Sequence, residues 1–116
     1  MLFRPDDETK VVMKHWRVIE VSSALNREKT RHLVGRVGDY GRVCSPIQEF
    51  DTETMSAITR SGKRYELLGY PGVSVDAEYV VESWCNLNRI DEVTDVTHEY
   101  YQGFTTSRYF DIMDPL

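Results

Sequence analysis

The sequence predicts an α+β domain: an antiparallel meander of four or five strands, with one amphipathic helix packed across a face. Three observations carry this. Runs rich in β-branched and aromatic residues recur between positions 11 and 68, separated by glycine-bearing turns. One stretch, 76–89, repeats apolar residues at helical spacing. The length of 116 residues suits one modest core and not two, so 1–116 is expected to be a single domain.

Residues 1–10 are polar around Pro5 and read as a loose arm. From Val11 to Ala24, Trp16, Val18 and Glu20 alternate with Arg17, Ile19 and Val21, a strand pattern with little sidedness. Residues 26–30 form a charged connection. Leu33 to Val37 predicts a strand, Gly38–Gly41 a turn, and Arg42 to Phe50 a second strand broken or edged by Pro46, which has no N–H for a ladder. Met55 to Arg60 and Lys63 to Leu68 predict a hairpin around a two-residue Ser61-Gly62 turn. Gly69, Pro71 and Gly72 end the sheet. Ser74 or Asp76 can cap the helix, whose apolar face is Ala77, Val80, Val81, Trp84 and Leu87. Trp84 is therefore expected to be largely buried against the sheet. Residues 93–97 read as a last strand; alternatively Asp95 caps a short helix that runs through Tyr101. The end, 100–116, is an aromatic-rich tail.

Composition limits the function classes. There are 19 acidic and 14 basic side chains, a net charge of −5. A surface that tracks a phosphate backbone carries a basic excess, so broad nucleic-acid binding is disfavoured. The acids are interleaved with Arg and Lys, which also argues against a mimic of DNA. Two cysteines, Cys44 and Cys85, sit in apolar runs without C-x-x-C spacing. They predict free thiols in a reducing compartment and no zinc. Neither a signal-peptide stretch nor an apolar run of membrane length is present. The expected location is the cytoplasm, without membrane contact.

Catalytic patterns are sparse. His15, His32 and His98 lack the spacing of a helical metal pair. Cys44 paired through the fold with His32 or His98 is the one nucleophile candidate. Asp6-Asp7 and Asp91-Glu92 are adjacent acids that point apart, and no glycine loop matches a phosphate cradle. No cofactor is implied, and a non-catalytic protein is expected. Two features remain as candidate contact sites. Arg60, Lys63 and Arg64 place three positive side chains near one hairpin tip, which would suit phosphate or carboxylate. Tyr100, Tyr101, Phe104, Tyr109 and Phe110, with Arg108 and Asp111 as polar rim, carry more aromatic area than a soluble monomer usually exposes.

The run Ser45-Pro46-Ile47 through Thr59-Arg60-Ser61-Gly62-x-x-Tyr65-x-Leu67 resembles a pattern in short proteobacterial proteins, often from mobile elements. Pro71-Gly72 and Asp76-Ala77-Glu78-Tyr79-Val80 extend the resemblance, which covers roughly residues 31–97. It implies a bacterial, phage or plasmid setting, where small acidic proteins often act as inhibitors, among them anti-CRISPR and toxin-immunity proteins. The leading expectation is thus a protein-binding protein whose partner is another protein or a second copy of itself. The alternative is a nucleic-acid accessory protein using the Arg60/Lys63/Arg64 tip.

Overall fold

The computed structural model describes residues 10–25 and 27–101. The elements are β1 (Lys10–Ser23), β2 (Thr30–Val37), β3 (Tyr40–Val43), β4 (Ile47–Asp51), β5 (Ser56–Thr59), β6 (Arg64–Leu68), α1 (Val75–Leu87) and β7 (Ile90–Asp95). A 3₁₀ turn, Thr97–Glu99, follows. The α+β class stands, but the meander does not. The sheet has seven strands in the order β3-β2-β1-β6-β5-β4, with β7 also on β1, and the β1–β6 pair is parallel. The cause is the length of β1. Its 14 residues give one edge to β2 and divide the other, with Lys10–Lys14 on β6 and Ile19–Ser23 on β7. The expected meander is thereby cut into a β2–β3 hairpin and a β4–β5–β6 run on opposite sides of β1.

Within β1 the side-chain alternation is interrupted. Lys14 faces Arg36 on β2, yet Arg17 faces Val34, so three steps on β1 match two on its partner. The extra residue is a β-bulge, and His15 takes φ of 48° there. The bulge puts Met13 and Trp16 on the same face, where strict alternation would oppose them. Gly35 lies opposite; a Cβ there would fall 2.6 Å from Met13 Cγ and 2.9 Å from the Lys14 carbonyl oxygen, so glycine lets the strands close over the bulge.

Beyond the bulge both faces of β1 are buried or half-buried, which explains the weak sidedness of that part of the sequence. On one face Met13, Trp16 and Val18 join Leu33, Cys44, Ala57, Tyr65, Leu67 and Val96. Among the described residues no helix covers this core. The sheet curls over it, bringing β2 and β4 together across the intervening strands. On the other face Ile19, Val21 and Val34 meet Ala77 and Val81 of α1.

The helix is capped by Ser74, whose hydroxyl accepts from the Ala77 N–H at 3.3 Å. It docks through its smallest residue: a Cβ on Gly41 of β3 would lie 2.5 Å from Ala77 Cα. That close approach selects Ala77 and Val81 as the buried stripe and turns the remaining predicted positions outward. Val80 and Leu87 are exposed, and Trp84 is half-buried and not largely buried as expected. The fully buried tryptophan is Trp16, whose indole N–H donates to the Gly69 carbonyl at 3.2 Å. The region after α1 combines both sequence readings. Strand β7 ends at Asp95, whose carboxylate accepts from the Thr97 N–H at the start of the 3₁₀ turn.

Burial ranks the two tryptophans. Trp16→Ala should cost about 3–5 kcal/mol in denaturant unfolding, and Trp84→Ala distinctly less. Equal losses would show that α1 presses Trp84 into the core as firmly as the curled sheet encloses Trp16.

Candidate functional site

The structure separates the residues that the sequence offered as contact sites. Tyr100 and Tyr101 are half-buried against the curled-sheet core. The Tyr100 ring lies 4.6 Å from that of Phe50, and its hydroxyl accepts from Arg31 Nη1 at 2.9 Å. Arg31 also binds Glu20 at 3.0 Å and Glu99 at 2.9 Å, and its hydrogen bond holds the Glu99 carboxyl below the usual range. Tyr101 packs edge-on against Trp16 and Tyr70, with centroids 6.0 and 6.1 Å apart. The root of the tail is thus tied to the domain's own core. Phe104, Arg108, Tyr109, Phe110 and Asp111 lie outside the described residues.

The basic tip opens out. Its turn has three residues and not two: Thr59 N–H bonds the Lys63 carbonyl and Gly62 N–H bonds the Thr59 carbonyl, with Gly62 at φ of 91°. Arg60 is exposed and borders a cleft beside His32, whereas Arg64 lies in a separate groove with Glu49 and Asp51. Lys63 is half-buried between them. Three cations close in sequence are therefore divided between two surfaces.

The cleft at Arg60 has a volume of about 530 Å³ and includes His32, Cys44, Ser45 and Trp84 in its lining. Here the fold does bring Cys44 and His32 together, though not as a nucleophilic pair. His32 Nδ1 lies 2.8 Å from the Cys44 carbonyl, which can only accept, so Nδ1 carries the proton. Nε2 then accepts from the Thr30 hydroxyl at 2.7 Å. Burial, reinforced by the Arg60 charge, lowers the imidazole pKa, and the ring rests edge-on against Trp84 at 4.7 Å. The Cys44 sulfur instead accepts from the Leu33 N–H at 2.9 Å, and burial pushes its pKa up to about 12. The thiol is protonated at neutral pH, and neither imidazole nitrogen is directed at it. Cys85, on α1, is the other free thiol and is half-buried. His98 is exposed in the 3₁₀ turn. Among the described residues no three His, Cys, Asp or Glu side chains group as metal ligands.

A further surface was not singled out by the sequence reading. Along α1 and the start of β3, Tyr40 is 78% exposed, Tyr79 is 73% exposed and Val75 is 82% exposed. Tyr40, Gly41, Tyr79, Val80, Ser83, Asp39 and Asp76 line an open groove of about 530 Å³. One signal was legible. Tyr79 falls nearly opposite Ala77 on the helix, so a large aromatic sits on the side that should face water. Tyr40 had been read as part of a turn, which hid its position at the start of an edge strand.

The buried groups yield two expectations. At about pH 7.5, Cys44 should resist a thiol reagent in the native protein, while both cysteines label in denaturant; fast native labelling at Cys44 would contradict its placement. His32 makes stability depend on pH. Above the ordinary value of 6.5 the ring is neutral in both folded and unfolded chains. Below it the unfolded chain gains a proton that the folded chain resists, so stability falls as pH drops from 6.5 toward the lower folded pKa. His32→Gln should flatten that part of the stability profile in denaturant titrations. A profile of unchanged slope would remove His32 as its source.

The chain matches no family model, no curated protein and no solved structure.

Proposed function

We propose that this protein acts by binding another protein, through the surface formed by the outer side of α1 and the start of β3. The observation that carries the reading is the exposed pair Tyr40 and Tyr79, which line one groove together with Val80. Tyrosine at a surface offers large contact area with few rotatable bonds and a polar end that tolerates water, which is why interfaces favour it. Exposed aromatics in a folded domain need a reason; among the described residues Trp16, Tyr65 and Phe50 are buried at least in part, while Tyr40, Tyr79 and Tyr70 are exposed, Tyr70 with its ring against Tyr101. An inhibitor or immunity protein is the form of this function that the sequence resemblance implies. Nucleic-acid contact through Arg60, Lys63 and Arg64 is the weaker reading, because the groove beside Arg64 also holds Glu49 and Asp51.

The test compares three baits in affinity capture from the source cell: wild type, a Tyr40→Ser/Tyr79→Ser double variant, and a chain ending at residue 103. Both altered positions are exposed, so the double variant should melt within a few degrees of wild type. A stoichiometric partner held by wild type and by the shortened chain, and lost by the double variant, is the expected result. Retention by the double variant with loss on shortening would transfer the function to the tail.

A further inference from the structure

Resting on that reading, we infer that the partner's contacting element is an extended, basic segment that adds as a strand to the edge of β3 that no strand among the described residues pairs, in the groove under α1. The first ground is backbone chemistry. Strand β3 stands at one end of the strand order. The bond from Cys44 N–H to the Leu33 carbonyl sets the phase of its ladder with β2. By the two-residue alternation of an antiparallel pair, the N–H and C=O of Gly41 and Val43 then face away from β2. They are the groups an added strand would bond.

The second ground is the way this edge differs from the other outer strands, β4 and β7; β4, at the opposite end of the strand order, bears exposed Glu49 and Asp51. Sheet edges are commonly blunted by charge. Strand β7 bears Asp91, Glu92 and Asp95, all exposed. Strand β3 reads Tyr-Gly-Arg-Val, and its one charge is drawn sideways, with Arg42 Nη1 bonded to the Tyr65 hydroxyl at 3.4 Å. Beside it α1 supplies an apolar wall, Tyr79 and Val80, at the height where side chains of an added strand would point. An edge strand flanked by a helix provides both backbone pairing and side-chain pockets.

The third ground selects the occupant. The ionised side chains of the groove are Asp39 and Asp76. The Asp39 side chain is 94% exposed, and its contact with Arg36 is loose, at 3.8 Å. Lys or Arg on the incoming segment would meet these carboxylates. A second copy of this chain would instead bring its own Asp39 and Asp76 to the same junction, from a protein of net charge −5. Like charges across a contact are costly, so the fit is to a basic foreign strand.

The experiment titrates the isotope-labelled full chain with two synthetic peptides of about eight residues, long enough to pair with the short edge. In one, valine alternates with lysine; in the other, glutamate replaces lysine. The lysine peptide should give saturable amide shifts at Gly41, Val43 and Tyr79, with slowed hydrogen exchange at Gly41 and Val43. The glutamate peptide and a Asp39→Asn/Asp76→Asn variant should each bind at least about tenfold more weakly. No saturable shift at these amides, or equal affinity for both peptides, overturns the inference. So does protection of Gly41 and Val43 that grows with protein concentration alone, which would assign the edge to a second copy. If these peptides fail while the Tyr40/Tyr79 double variant still loses its captured partner, protein binding stands and only its strand-addition form falls. If the peptides bind the edge as expected and no partner is captured, the site stands and the wider functional reading falls.

Discussion

The extra residue at His15 in β1 is the constraint on which the rest of the domain depends. A strand with strict alternation would place Met13 and Trp16 on opposite faces. With one residue added, both enter the curled-sheet core, while Ile19 and Val21 beyond the bulge meet the helix. The same kink opens a gap on the second edge of β1, between its pairing with β6 and its pairing with β7. Buried backbone groups in such a gap need partners. The Trp16 carbonyl accepts from Gly72 N–H at 2.9 Å, the Val18 N–H donates to the Thr97 hydroxyl at 2.9 Å, and the Val18 carbonyl accepts from Val96 N–H at 2.9 Å. The segments before α1 and after β7 are thus held by the gap itself, and with them the approach angle of the helix.

Two arginines tie the outer elements to this strand. Arg17 follows the bulge and faces the helix side. Its Nε and Nη2 bind both carboxylate oxygens of Glu78 at 2.8 and 2.7 Å, and Nη1 reaches Asp95 at 3.2 Å. Its pKa is raised, chiefly by the Glu78 hydrogen bond. A paired, planar fork of this kind fixes orientation as well as contributing energy, which suits a residue joining β1, α1 and β7. Arg31 does the corresponding work on the other face, where Glu20, Glu99 and Tyr100 converge on it. Through Arg31 and the rings of Phe50 and Trp16, the chain is anchored as far as Tyr101.

The distribution of aromatic side chains follows from these anchors. Trp16, Tyr65, Phe50, Tyr100 and Tyr101 are gathered over the face of the sheet opposite α1, within the curl. The opposite face has a helix docked at short range on Gly41, and side chains beyond the Ala77–Val81 stripe find no further layer to enter. Tyr79 and Val75 are left outside for this reason. Tyr79 shares one open groove with Tyr40 at the start of β3.

The sequence by itself determined the local elements. Turn glycines and the Ser74 cap marked the end of β2, the β5–β6 hairpin and the start of α1, because they act through φ, ψ and hydrogen bonds within a few residues, whereas Tyr40 and Gly41 of the expected turn belong to β3. The free state of both cysteines was likewise legible. Tertiary structure alone decided which strands are neighbours, since pairing of β1 with β6 and β7 joins residues far apart in the chain, and periodicity carries no record of such pairs. It also decided which tryptophan is enclosed. Trp84 lies on a sound helical stripe, but the close contact of Ala77 with Gly41 rotates burial away from the far end of that stripe. The hairpin cations were divided for a similar reason. Arg60 lies in the three-residue turn and Arg64 on β6 beyond it, and the register of β5 on β6 places them in separate grooves. The groove at β3 belongs to the same class: Tyr40 and Tyr79 are distant in sequence, and only helix docking against the edge strand brings them to one surface.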